Sequence, residues 1–281
     1  MQKTESTIDD MKSMSLEEIL NMLDSGENVI AAQNTTGLGG GTSETFSGTA
    51  TTTGDPHVVG FNGEEYDFMG DDNVVYNMIS TGTTQVNVRM SEIIPERTYM
   101  SEIGIKVPNY KFRIWLDEKS EIQCELNEKP INRNSQQETV YFLSGLKNKD
   151  GSDNMGVAVF NLEDKWVTID TGNCKFYIYK ETEMYDNTVS CPHLNISTIV
   201  QEIGILSDGV KPHGFMGVTA NHNTTRDCIG ANGEGIIEGE YTDYEVSGIF
   251  ADDFKFNSFG TKANFKKIFG YKSGSKTFVI E

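Results

Sequence analysis

The stretch "TGDPHVVGFNGEEYDFMGDDNVVYNMIS", Thr53 to Ser80, decides how this chain is read. It reads as a pair of β-strands into which two glycine turns, a histidine and several acidic side chains are set. Such a mixture has three competing uses: a catalytic site, a metal site, or the scaffold of a β-rich binding module.

Downstream, strand patterns continue. The runs "TTQVNVRM", "KFRIWL", "EIQCEL", "TVYFL", "MGVAVFNL", "KWVTI" and "CKFYIYK" alternate or run apolar and are rich in β-branched and aromatic residues. Turn clusters separate them, among them Asn148-Lys-Asp-Gly151, Glu163-Asp-Lys165 and Thr171-Gly-Asn173. Many short strands at close spacing predict an all-β domain, an antiparallel β-sandwich or open barrel. No βαβ alternation occurs, which disfavours the nucleotide-binding α/β folds. Residues 192–223 are less regular.

The chain has 281 residues, enough for one large β domain or two ordinary ones. Its 28 Gly against 6 Pro fit many tight turns. With 23 Lys and Arg against 42 Asp and Glu, the net charge of −19 makes nucleic acid the least expected partner. The acidic excess suits solubility, divalent cations or a basic partner. No apolar run approaches the roughly 18–20 residues needed to cross a bilayer, so no transmembrane segment is expected. "MQKTESTIDDMKSMSLEEIL" shows no basic segment followed by an apolar one, so no signal peptide is visible.

Residues 1–30 read as an acidic arm. Ser15-Leu-Glu-Glu18 forms a capping box, and Leu16, Ile19, Leu20 and Leu23 follow at helical spacing, with Gly26 as the stop. The result is a short amphipathic helix of about three turns, marginal alone and expected to dock on the main domain or on a partner. Residues 31–52 are Gly/Ser/Thr-rich and read as a flexible linker. Residues 53–281 read as one β domain.

Cys124, Cys174, Cys191 and Cys228 contain no C-x-x-C, so a zinc knuckle or thioredoxin-type motif has no support. Two disulfides or plain buried thiols are the remaining readings. His193, His213 and His222 stand near Cys191 and Cys228 in sequence, but at irregular spacing for zinc. Sequons begin at Asn34, Asn195 and Asn223.

Gly54-Asp-Pro-His57, Phe61-Asn-Gly63 and Tyr66-Asp-Phe-Met-Gly70, with Gly217-Val-Thr-Ala-Asn-His-Asn223 further on, resemble the von Willebrand factor type D domain and its G-D-P-H, aromatic-Asp/Asn-Gly, Y-x-F-x-G and G-L-C-G-N-Y-N elements. The likeness is closer to cysteine-poor relatives of root-cap and late-embryogenesis type. It adds Arg97-Thr-Tyr-Met-Ser-Glu-Ile-Gly-Ile105, His213-Gly-Phe-Met-Gly-Val-Thr219 and the closing "YTDYEVSGIFADDFKFNSF". It spans residues 53–260 in matching order. It marks Asp55, Pro56, His57, Gly63, Tyr66, Phe68, Gly70, His213, Gly214 and Gly217 as the structural motif. Tyr76 and Thr219 stand where that family has cysteines, so covalent polymerisation is not implied. The resemblance also implies calcium, carried by position onto Asn62, Asn221 and Asn223 with Asp227 nearby. Calcium needs about six to eight oxygens, and Asn62 replaces a family Asp, which lowers the charge available.

Asp55-Pro-His57 is read as a turn in which His57 bonds to backbone from an inward face. The competing reading is a hydrolase using Asp55, His57 and Asp67, although no G-x-S-x-G or H-E-x-x-H accompanies them. Glu64-Glu65, Asp71-Asp72 and Asp252-Asp253 read as solvated turns. Phe61, Tyr66, Phe68, Trp115, Tyr141, Phe142, Trp166, Tyr177 and Tyr179 read as inter-sheet core rather than a sugar-stacking platform. The expectation is a non-enzymatic structural or interaction module of an extracellular coat, matrix or virus particle. Its arm would dock on a protein partner through Leu16, Ile19, Leu20 and Leu23. A calcium- or glycan-binding module is the alternative.

Overall fold

Extended, β-branched and aromatic runs build nearly every element of this fold. A computed structural model describes residues 46–54, 56–131, 139–147, 153–161, 166–172, 174–203, 212–221 and 231–260. In chain order the strands are β1 (Phe46–Thr53), β2 (His57–Val59), β3 (Glu65–Asp67), β4 (Val75–Ser80), β5 (Gln85–Ile94), β6 (Arg97–Val107), β7 (Tyr110–Leu116), β8 (Ile122–Leu126), β9 (Lys129–Pro130), β10 (Thr139–Lys147), β11 (Asp153–Asn161), β12 (Trp166–Asp170), β13 (Cys174–Tyr185), β14 (Val189–Ile203) and β15 (Glu245–Val246). Short 3-10 turns lie at Gly217–Asn221, Ala231–Gly233 and Tyr241–Tyr244.

Two antiparallel sheets result, of eight strands in the order β10-β11-β12-β13-β14-β1-β2-β3 and of seven in the order β15-β4-β5-β6-β7-β8-β9. Their inner faces pack as an all-β sandwich. In β7, Phe112 and Ile114 point inward while Lys111, Arg113 and Trp115 do not. They share one core with Phe160, Val167, Ile169, Phe176, Ile178 and Ile196 of the other sheet. These strands belong to one unit, Gly39–Glu281, and a second unit, Met1–Leu38, lies outside the described residues. The expected helix and its Leu16, Ile19, Leu20 and Leu23 therefore fall outside as well. Among the described residues no helix is long and apolar enough to cross a membrane.

Strand β4 is buried at all six positions, which a two-sheet sandwich alone does not explain. Its second face is covered by the chain after β15. Asn87 Nδ2 donates to the carbonyls of Ile249 (3.0 Å) and Ala251 (2.9 Å), and Asn77 Nδ2 donates to Asn87 Oδ1 (2.7 Å). Ser258 Oγ donates to the Ser80 carbonyl at 2.6 Å. Gly104 permits the crossing, because a Cβ there would sit 2.5 Å from the Ile249 carbonyl oxygen. Ser80, Gln85 and Asn87 are buried polar residues that bond this strap, and Asn77 is buried behind them on Asn87.

Several expectations need correction. Phe46–Thr53, expected to lie mostly in the linker, is strand β1, paired with β14 on one side and β2 on the other. Its run of threonines is β-branched, and Ala50 and Thr52 are small enough to turn into the core. The region after Pro192 is not irregular at first, since β14 continues to Ile203. Of the aromatics assigned to the core, Phe61, Tyr66 and Phe68 are buried. Trp115, Tyr141, Phe142, Trp166 and Tyr177 are half-buried, and Tyr179 is 36% exposed. In β13 the inward positions are taken by Phe176 and Ile178, so strand parity turns Tyr177 and Tyr179 outward. Cys174 and Cys191 are buried free thiols, so two disulfides do not form, and Cys124 is buried as well.

Candidate functional site

The two motif stretches, residues 53–80 and 212–221, meet at one corner of the sandwich. Ser80 and His213 form a reciprocal backbone bridge (2.7 and 2.8 Å), after which Phe215 N bonds to the Asn77 carbonyl and Met216 N to the Met78 carbonyl. The Tyr66 hydroxyl donates to the Phe215 carbonyl at 2.6 Å. Thr219 Oγ1 accepts from Phe61 N (2.9 Å) and donates to the Met216 carbonyl (2.7 Å). Below this polar seam, Phe68 packs on Phe215 with ring centroids 4.0 Å apart and edge-on to Tyr76 at 4.9 Å. Aromatic pairs of this kind add about 0.5–1.5 kcal/mol beyond the area they bury.

Two glycines of the motif are sterically required. Gly214 has φ +97°, and a Cβ there would lie 2.5 Å from both the Met78 carbonyl carbon and Asn77 Oδ1. At Gly70 a Cβ would meet the Tyr76 ring at 2.6 Å. Gly63 takes φ +83° in an open turn, whereas at Gly217 a Cβ would make only an ordinary contact, 3.5 Å from Ile79 Cα. Pro56 is buried, and its carbonyl accepts from Phe68 N at 2.9 Å. Burial, chiefly, raises the Tyr76 hydroxyl well above the ordinary tyrosine range, so it stays protonated beside Asp71.

His57 does not face inward. Its Nδ1 meets Asp67 Oδ1 at 2.9 Å across β2 and β3, on an exposed face where the two side chains are 46% and 75% accessible. The parity of β2 decides this, since Val58 takes the core position. Thr53 stands opposite His57 on the other neighbouring strand. Two of the three hydrolase candidates therefore touch, while Asp55 lies outside the described residues. Among the described residues His57 makes no hydrogen bond to a hydroxyl or thiol. Cys174 is no substitute nucleophile, because burial pushes its thiol up to about 12.

The turn at Asn62 holds a residue that sequence reasoning misassigned. Glu64 is fully buried rather than solvated, and its Oε2 accepts from Asn62 N at 3.1 Å. Gly60 makes the room, since a Cβ there would lie 2.6 Å from that oxygen and 2.7 Å from Thr219 Cγ2. Asn62 Nδ2 donates to the Thr219 carbonyl at 2.6 Å, tying the turn to the 3-10 segment. The clue in sequence was Gly60 four residues before Glu64, a spacing that lets the chain fold back over its own side chain.

For calcium, the described part of the corner supplies the Glu64 carboxylate and the Asn62 amide. The Asn221 side chain, Asn223 and Asp227 lie outside the described residues. Among the described residues no three metal-ligating side chains gather, so these alone do not make a cation cage. The histidines also disperse. His213 Nδ1 lies 2.6 Å from Glu238 Oε2 and its ring stacks on Phe256, while buried His193 packs on Tyr99 and shares its Nδ1 with the Cys191 carbonyl. His222 and Cys228 lie outside the described residues.

Neither a protein-family model nor a curated protein matches the chain.

Proposed function

We propose that this protein is a non-enzymatic structural or interaction module of an extracellular coat, a matrix or a virus particle, resembling the von Willebrand type D architecture. One observation carries the reading. Tyr66, Asn62 and Thr219, polar side chains where the two motif stretches meet, are spent on backbone across that seam. In this reading the arm, with Leu16, Ile19, Leu20 and Leu23, docks on a protein partner while the sandwich is displayed. Deleting residues 1–30 tests it: the truncated protein remains folded and fails to join the native assembly. Full incorporation without the arm contradicts it.

Calcium is the second reading, supported by the burial of the Glu64 carboxylate at the Asn62 turn. Calorimetric titration of calcium into the full chain and into Glu64→Gln decides it, since equal behaviour of the two removes Glu64 from any site. A glycan would use the outward Trp166 and Tyr179, which face each other across β12 and β13. The His57–Asp67 pair keeps a hydrolase open to test, and a hydrolytic rate abolished in a folded His57→Ala variant would replace the architectural reading.

A further inference from the structure

Strands β13 and β14 run past the sandwich as a two-stranded ribbon. Every residue from Glu181 to Ser190 is exposed, and the turn between the strands is set by positive φ at Asp186 (49°) and Asn187 (56°). Of the four large hydrophobic residues found exposed among the described residues, Met184 (54%), Tyr185 and Val189 lie on this ribbon, and Tyr179 lies at its root opposite Trp166 of β12. Tyr185 and Val189 form a cross-strand pair on one face, and Met184 stands on the other face opposite Ser190. The tip thus presents apolar surface on both sides.

The ribbon is braced rather than loose. Its buried residues Cys191 and His193 pack against Ile94 and Tyr99 of β5 and β6, a small core separate from the main one. The Arg97 guanidinium lies 5.3 Å from the centre of the Tyr185 ring. A surface held in place in this way loses little freedom when it binds.

Charge selects the occupant. Glu183 and Asp186 on the ribbon, and Glu92 and Glu96 on the β5–β6 hairpin that packs against it, are exposed carboxylates, while Glu181 accepts from Asn195. The nearby cations are engaged, Arg97 on Tyr185 and Lys180 on the Ser120 carbonyl. A second copy of this chain, at net −19, would bring like rims together, and an anionic membrane would repel the same carboxylates. An apolar centre inside a polar rim is the anatomy of a protein interface.

We infer that the β13–β14 tip is a docking surface for a protein partner that presents apolar side chains flanked by Lys or Arg. This rests on the interaction-module reading and supplies that module with a contact surface. The full chain labelled at its methionine methyl groups is titrated at physiological salt with a peptide of alternating leucine and lysine, and separately with its leucine–glutamate counterpart. The Met184 methyl signal, assigned with Met184→Leu, is expected to shift saturably with the lysine peptide alone. The double variant Glu183→Gln, Asp186→Asn is expected to weaken that binding by about tenfold or more. No saturable Met184 shift, equal binding of both peptides, a Met184 shift with phosphatidylserine vesicles, or dimerisation through the tip in sedimentation would each overturn the inference. Met184→Glu with Val189→Glu separates its failure from that of the module reading. If this variant joins the native assembly normally while the arm deletion does not, the tip is not the contact surface and the module stands. If both join normally, both ideas fail.

Discussion

The Tyr66 hydroxyl reaches the Phe215 carbonyl at 2.6 Å, so a side chain on β3 holds in place a loop 149 residues later in the chain. Around that bond the seam between the two motif stretches is completed by Thr219, whose hydroxyl serves Phe61 N and the Met216 carbonyl together.

Removing these groups should therefore destabilise the fold without any ligand being involved. Tyr66→Phe is expected to lose roughly 1–2 kcal/mol, and Thr219→Val roughly 1–3 kcal/mol because it removes the hydroxyl that accepts from the buried Phe61 N–H. Both act on one short loop, so the double variant should depart from additivity by about 0.5–1 kcal/mol or more. Urea unfolding of the four proteins measures this, and additive, negligible losses would show that the seam does not hold the corner.

The two glycines of His213-Gly-Phe-Met-Gly217 should behave differently. Gly214→Ala forces a Cβ into the Met78 backbone at a positive φ and is expected to lose at least about 2 kcal/mol or fail to fold. Gly217→Ala meets only ordinary contacts and should stay within about 1 kcal/mol of the parent. Equal sensitivity at both positions would argue that the motif is kept for something other than backbone clearance.

Asp170 gives the fold a pH dependence of known sign. Burial raises its carboxyl above the ordinary range, more than the Gly172 N–H and the Lys175 ammonium lower it. The folded state therefore holds the proton more tightly than the unfolded one. That contribution is fully present below the unfolded carboxyl value of about 3.9 and is lost as pH rises through the folded value. Asp170→Asn should then be more stable than the parent at pH 7, with the difference closing towards about pH 4. A gap that instead widened on acidification would contradict this cause.

Asn195 opens a sequon, yet its amide is consumed inside the fold. It is fully buried, its Oδ1 accepts from Gly54 N at 3.1 Å, and its Nδ2 donates to Glu181 Oε2 at 2.7 Å. Folded protein passed through a secretory pathway should carry no glycan at Asn195. Peptide mapping by mass spectrometry checks this, and an occupied Asn195 in soluble, folded protein would contradict the described packing.

The strands legible in sequence were those with plain alternation, such as "KFRIWL" in β7 and "KWVTI" in β12. Strand β1 was hidden because polar threonines in a Gly/Ser-rich setting read as linker, although β-branching suits them to an interior strand. The outward turn of Tyr179 and His57 depended on strand register, and no pattern of residue types fixes register by itself. Glu64 was misread because its burial comes from a loop arriving 150-odd positions later, at Thr219. The strap across β4 was legible only as a closing segment with a resemblance, since Asn77, Asn87 and Ser80 look solvent-facing until residues 249–258 cover them.

The arm's docking is read out by chemical cross-linking of the protein in its native setting, followed by mass spectrometry. Links are expected from Lys3 or Lys12 of the arm to a neighbouring protein of a coat, matrix or particle, with the sandwich cross-linked only as the fold allows. Recovery of a free monomer whose links are all internal would contradict it.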